Sequence, residues 1–331
     1  MALFLDITTS AEFWRKIYPV NRAPARTLPI ASEACSFSAR DAKRLAPSWA
    51  TPEFLEPIGG KISLLVFDKK QRRNSSLHVT HLWGSRIPEG SFHALSDTVY
   101  VMSPGFMFLM AATLLSEQKL VAFGYELCGH YSFDDTSKRG IRKRSVPLTT
   151  IDALRNYLKG TENCRGHRRA TSALRHVLEH SASPMETFDA MALFGTPRLG
   201  GYRLGTPIMN HEVPLNAHAA RIAKRSKCYL DMGFPAHKLD IEHHGIDHAS
   251  PEAWASDRAR VNALQKMGFT VIELTFEQIN DLRAFEFIAI HIAKILGKRL
   301  RKHTLGATPE RLALRKEVFD WNHSGGRLRE R

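Results

Sequence analysis

Between Lys227 and Thr275 the hydrophobic period of the chain changes twice, and that change limits what the segment can fold into. Cys228 to Gly233 is a short apolar-rich run, and Pro235, Ala236 and His237 interrupt it. Lys238 to His244 then alternates. Leu239, Ile241 and His243 fall on one side, and Asp240, Glu242 and His244 on the other. From Asp257, which is expected to cap its helix, Val261, Leu264 and Met267 recur at helical spacing as far as Gly268, a stop signal. Phe269 to Leu274 reads as a buried strand. The segment therefore predicts a hairpin, a helix and a returning strand.

The polar side of that hairpin carries the chemistry. Asp231 lies near the end of the first strand, and Glu242 and His244, two apart, share a face of the second. Carboxylates on neighbouring strands suit one hard cation, Mg²⁺ or Mn²⁺, which prefers oxygen ligands and leaves room for phosphate oxygens and a water. Asp240 is an alternative partner for Glu242, read otherwise as a solvated edge residue. His237, His243, His244 and His248 crowd the same stretch and raise the alternative of zinc, without a clear helical i, i+4 pair or CxxC partner to support it. His243 itself reads as a satisfied neighbour on the opposite face.

This order of elements resembles the PD-(D/E)xK nuclease superfamily, in which an acidic residue is followed, after a gap, by (D/E)-x-K on the next strand. It is most similar to the branch of the very-short-patch repair endonuclease. The resemblance rests on Asp231, the run Ile241-Glu242-His243-His244-Gly245, then His248, Asp257, Arg258 and Arg260, and the closing strand Val271-Ile272-Glu273-Leu274. It spans roughly residues 166–296. It implies a restriction-endonuclease-like core, DNA as partner, and metal-dependent phosphodiester hydrolysis with Asp231 and Glu242 on the ion. Glu186 would assist from the preceding helix. His244 stands where the superfamily has lysine, and His248 would act as general acid or phosphate contact. The alternative is a nuclease fold that binds DNA as an inactive, antitoxin-like regulator. Glu186 also has a local reading: Ser183, Pro184 and Glu186 fit the start of a helix, with Glu186 closing a capping box onto Ser183.

The 331 residues carry 47 Lys and Arg against 33 Asp and Glu, a formal net charge of +14 that favours a polyanionic partner. Arg221, Lys224, Arg225 and Lys227, just before the Asp231 strand, are candidate backbone contacts for DNA, or else a solvated approach to that strand. No run of about twenty apolar residues predicts a membrane span, the N-terminus lacks the pattern of a signal peptide, and four scattered cysteines suit reduced thiols; these point to the cytoplasm.

The fold class expected is α/β, more specifically α+β: a central mixed sheet flanked by helices, preceded by a smaller α/β domain. The domains expected are 1–160 for recognition or regulation, 161–300 for the nuclease-like core, and 301–331 as a basic tail with a mobile end. In the first, helices are expected at Phe13–Ile17, Ala31–Ala46, Pro104–Leu115 and Thr149–Lys159. Strands are expected at Lys61–Asp68, Leu77–Leu82 and within Phe92–Met102, the first two as a hairpin with a basic tip. Lys119–Cys128 is a further apolar segment. The basic run Tyr131–Ser145 reads as an exposed loop or a nucleic-acid surface. Residues His78–Tyr131 are similar to the region upstream of nuclease-like domains in type IV antitoxin-like bacterial regulators, which implies a protein partner encoded nearby. In the second domain, Arg168–His180 and a long stripe, Phe276–Leu296, are expected helical, and Gly195–Pro214 irregular.

Overall fold

The computed structural model describes residues 3–17, 62–72, 74–75, 78–95, 99–244, 251–300 and 305–328, with the backbone alone for 251–253. The helix expected at Ala31–Ala46 and the candidate His248 lie outside these residues. The fold is mixed α and β, as the patterning predicts. The chain divides into two units, Met1–Val177 with Asp320–Arg331, and Leu178–Phe319. The division therefore falls later than the boundary expected near 160, and the last residues return to the first unit.

In the first unit β1 (Leu3–Phe4) pairs in parallel with β5 (Val99–Met102), and β4 (Phe92–Ala94) pairs with β5 antiparallel. Two strands, β4 and β5, thus lie within Phe92–Met102, where one was expected. Strands β2 (Ile62–Val66) and β3 (His78–Leu82) occur where expected, but they run parallel, Ile62 opposite His78 and Val66 opposite Leu82. Alternation marks a strand without fixing its direction. The link between them, which includes a 3-10 turn at Lys69–Gln71, makes the crossover that a parallel pair requires. Helix α1 (Ile7–Ile17) buries Trp14, and α2 (Pro104–Leu114) is buried from Gly105 to Ala112, which explains its apolar residues on every side. Helix α3 (Glu117–Leu127) fills the apolar segment before Cys128.

The basic run after α3 is a hairpin, β6 (Tyr131–Phe133) with β7 (Ile141–Lys143). Arg144 is buried and donates to the carbonyls of Tyr131 and Glu126, so it belongs to neither an exposed loop nor a ligand surface. Beside it Arg15 grips Glu126 with two bonds of 2.8 Å and donates to the Gly326 carbonyl, also at 2.8 Å. Trp321, fully buried, meets Phe123 and Phe133 with ring centroids 6.0 and 6.2 Å away. The segment expected as a basic tail thus supplies core, because its apolar residues recur among the charges at helical spacing. Helices α4 (Ile151–Lys159) and α5 (His167–Leu174) complete the unit; α5 is shorter than the pattern predicts.

The second unit is built on a four-stranded mixed sheet in the order β11-β10-β9-β8. Its strands are β8 (Ile208–Pro214), β9 (Lys227–Phe234), β10 (Leu239–His244) and β11 (Thr270–Thr275). β8, β9 and β10 are antiparallel neighbours. β11 lies parallel to β10 after the crossover through α8 (Pro251–Lys266). Ala219 and Ala223 of α7 (Ala217–Ala223) pack with Leu230, Leu264 and Phe269 in one core. Each leucine so buried contributes about 1.5–3 kcal/mol. Phe188, on α6 (Pro184–Phe194), stacks on Phe319 at 4.6 Å.

Two boundaries differ from the sequence pattern. Helix α8 starts at Pro251, so Asp257 lies inside it and caps nothing; its carboxylate accepts from Arg260 instead. The long helix expected at Phe276–Leu296 is two, α9 (Phe276–Asn280) and α10 (Leu282–Ile295). Asp281 stands between them with extended backbone and accepts from the amides of Arg283 and Ala284, a cap that restarts the helix. Helix α11 (Pro309–His323) carries the chain back to the first unit.

Candidate active site on the second unit

The site starts from an interruption in β8. Its ladder with β9 holds Met209 opposite Met232 and His211 opposite Leu230, but Asn210 between them has φ +48°. Asparagine tolerates this left-handed conformation better than most residues. Its side chain donates to the His180 carbonyl at 2.7 Å and to Glu186 Oε2 at 3.2 Å. Across from it β9 changes face. Residues three apart in a regular strand point oppositely, yet a Cβ on Gly233 would lie 2.7 Å from the Leu230 side chain. Asp231 sits at that change of face, and its Oδ2 accepts from the His243 backbone amide at 3.3 Å. Irregularities of this kind re-aim a side chain beside functional sites.

Glu186 comes from the first turn of α6. Ser183 Oγ caps that helix by accepting from the Glu186 amide at 3.1 Å, as expected. The Glu186 carboxylate reaches one residue further back than a capping box would. It accepts from the Ala182 amide at 2.8 Å and from Asn210. It therefore serves the local structure and also faces Asp231, whose charge it disfavours.

Glu242 and His243, successive on β10, project to opposite faces. Glu242 is 4% exposed and is clasped by Arg260 of α8, Nη1 to Oε1 and Nη2 to Oε2, the second bond 2.6 Å long. The same guanidinium holds Asp257 at 2.8 Å. On the other face His243 Nδ1 meets Asp189 Oδ2 of α6 at 2.8 Å. His243 thus has a partner on the face away from Glu242, as the alternation predicts. His244 is exposed at the end of β10, on the Glu242 side.

The electrostatics follow from burial. Asp231 is raised well above the usual carboxylate range, first by desolvation and then by Glu186 and Glu242, with Arg260 opposing. Asp240, fully buried, is raised well above that range by desolvation and by Glu242 and Asp231. Neither Asp240 oxygen accepts a hydrogen bond from a described donor, so it is no solvated edge residue. Glu186 is raised by desolvation against the bonds it accepts. Burial works against charge on His243, but Asp189 outweighs it and the imidazole pKa is raised.

Asp231 thus lies within electrostatic reach of Glu186, of Glu242 and of Asp240, while Glu186 also reaches His243, on the face away from Glu242. Asp189, Asn210 and the clasp of Arg260 on Glu242 are what the sequence pattern left unassigned. Only Arg260 carried a signal, its place three residues after Asp257. Zinc is poorly served, since His243 is committed to Asp189, and His237 and His244 sit at opposite ends of β10, about 20 Å apart for six extended residues. Among the described residues no group of three or more His, Cys, Asp or Glu is arranged to hold an ion as it stands. Of the expected phosphate contacts, Arg221 and Lys224 are exposed, Arg225 donates to Ser256 at 2.8 Å, and Lys227 pairs with Glu212 at 2.7 Å. No family model, curated protein or solved structure matches the chain. Among the described residues no helix is long and apolar enough to cross a membrane.

Proposed function

We propose that the second unit is a restriction-endonuclease-like domain that hydrolyses DNA phosphodiesters with a divalent metal. The observation that supports this reading most is the electrostatic coupling of Asp231, at the centre, to Glu186 and to Glu242, and of Asp240 to Glu242 and Asp231, with Arg260 opposing on the strands. So much desolvated negative charge suits a hard cation. The donor set is all oxygen, and neither Asp240 oxygen accepts from a donor among the described residues, so the residues fit Mg²⁺ or Mn²⁺. Asp231 and Glu242 would hold the ion, with Glu186 beside them. When bound, the ion supplies Lewis acidity and a water of lowered pKa.

The chain's own groups then have distinct tasks. Arg260 neutralises Glu242 and would compete with the cation for it. Asn210 and the Ala182 amide hold Glu186 in place. His244, on the Glu242 side, would orient water or stabilise the phosphate from the position where the superfamily has lysine, with His248 from the following segment. Arg221, Lys224, Arg225 and Lys227 offer positive charge for the DNA backbone, and the affinity they give falls with salt. The test is cleavage of supercoiled, linear and single-stranded DNA with Mg²⁺ or Mn²⁺, by the wild type and by Asp231→Ala/Glu242→Ala. Cleavage that the double variant loses is expected, and cleavage that it keeps would sink the assignment.

A second reading is favoured by the Arg260 clasp and by the absence of lysine after Glu242: a nuclease fold that binds DNA as an antitoxin-like regulator without cutting it, with a protein partner encoded nearby. DNA binding with no cleavage under any metal would select it.

A further inference from the structure

The first unit carries a channel of positive charge that the carboxylates of the second unit leave without a role. Helices α4 and α5 lie side by side and enclose a depression of about 360 Å³. Arg155 and Lys159, one turn apart on α4, line one wall, and Thr171 and Arg175, at the same spacing along α5, line the other. A second depression, of about 510 Å³, adjoins it at Glu162 and His167 and adds Arg165, Arg168 and Arg169. Six lysines and arginines thus line the pair, and among the described residues the one carboxylate beside them is Glu162.

Little of this charge is neutralised. Arg169 is spent on the carbonyls of Ala112 and Leu115. Lys159 bonds a neutral amide, Asn156 at 3.0 Å, and Arg175 a hydroxyl, Ser172 at 3.3 Å. Arg155 pairs with Asp152, an exposed contact of the kind that contributes little and that a phosphate can displace. Arg165 and Arg168 are exposed and form no ion pair among the described residues. The shape then narrows the partner. Leu158 is 3% and Leu174 6% exposed, so a docking peptide would find almost no apolar side chain to bury between the helices. A concave channel also does not fit a flat bilayer surface. What remains is a partner held by charge that enters a groove, a chain of phosphates. Helix α5 has 8 residues and is about 12 Å long, and phosphates recur about every 3.4 Å along one strand of a duplex. A strand lying beside α5 therefore presents about four phosphates to the cations that remain once Arg169 is set aside. We infer that this channel holds the phosphate backbone of DNA, as a contact surface separate from the carboxylate cluster. The choice of DNA rests on the nuclease reading, whereas the channel is argued from residues of the first unit alone.

The experiment is fluorescence anisotropy of a labelled duplex of about 20 base pairs with the full chain, in EDTA to prevent cleavage, over a series of salt concentrations. Arg165→Gln/Arg168→Gln/Arg175→Gln removes three exposed cations. The slope of log K against log salt should become shallower by about 2–3, and Kd should rise about tenfold or more near 0.1 M salt. Lys138→Gln/Arg139→Gln/Lys143→Gln removes the same charge from exposed positions on the β6–β7 hairpin and should change the slope by less than about 1. Thr171→Glu places a carboxylate in the channel and should weaken binding by itself, so the result does not hang on how the triple variant folds. Asp231→Ala/Glu242→Ala should bind as the wild type does. Absence of cleavage together with a shallower slope in the channel variant would sink the nuclease reading and leave the channel standing; cleavage with an unchanged slope would do the reverse. The inference is overturned if the duplex does not bind, if the channel variants bind as the wild type does, or if the hairpin variant loses as much. It is also overturned if inorganic tripolyphosphate at micromolar concentration displaces the duplex, which would mark a site for a small anion, or if an RNA duplex of the same sequence binds more tightly.

Discussion

Replacing Arg260 by methionine, which keeps the length of the side chain and removes its charge, isolates the contact on which the acid cluster rests. In the native protein Arg260 makes two bonds to Glu242 and two to Asp257, with the Glu242 side chain 5% and the Arg260 side chain 17% exposed. Removing one partner of a buried pair leaves the other charged and unpaired, at a cost of about 3–5 kcal/mol. Glu242 would then face Asp231 and Asp240 with no opposing charge, while the partial exposure of Arg260 argues for the lower end, about 3 kcal/mol. A unit of this size loses about 2–4 °C in Tm per kcal/mol, so calorimetry in EDTA should show a transition about 6–12 °C lower. Millimolar Mg²⁺ should recover more of that loss in Arg260→Met than it adds to the wild type, because the guanidinium no longer competes for Glu242. A loss below about 1 kcal/mol, or an equal response of both proteins to Mg²⁺, would refute the view that Arg260 substitutes for a cation.

Three further outcomes follow from the same physics. Asp240 has its pKa raised by burial and by Glu242 and Asp231, so the folded protein keeps that proton to higher pH than the unfolded chain does, and stability falls as pH rises between the two pKa values. Asp240→Asn should therefore be more stable than the wild type by about 1–2 kcal/mol at pH 8 and lose that advantage near pH 4, as read by thermal melts at both pH values. Glu126→Gln strands the buried Arg15 and should cost about 3 kcal/mol in urea unfolding, whereas a cost under about 1 kcal/mol would mean that water reaches the pair. Ser183→Ala removes the cap of α6 and should cost about 1 kcal/mol while slackening the hold on Glu186, measurable as a lower Tm.

The segment from Lys227 to Thr275 was legible because its alternation and its helical period are local properties, and they place Asp231, Glu242 and His244 on their strands directly. The cap at Ser183 was legible for the same reason. What the pattern did not carry depends on partners distant in sequence. His243 and Asp189 are 54 residues apart, and nothing local says that they meet. The face change at Asp231 stands across from a left-handed asparagine on the neighbouring strand, so the strand's own residues do not announce it. Strand direction failed similarly in the first unit, since β2 and β3 alternate alike whether parallel or antiparallel. The division of Phe276–Leu296 was readable in principle: Asp281 is a strong capping residue inside an apolar stripe, and the stripe masks it.

The return of residues 320–331 to the first unit has a consequence for how the protein is made. Trp321 completes the cluster with Phe123 and Phe133, and the Gly326 carbonyl completes the setting of Arg15. A ribosome that has released residues 1–177 has therefore not yet delivered all of that core, whereas 178–319 can condense while translation continues. The unit that begins first is the one that finishes last, and a ribosome stalled shortly before Trp321 would leave behind an N-terminal half that cannot close.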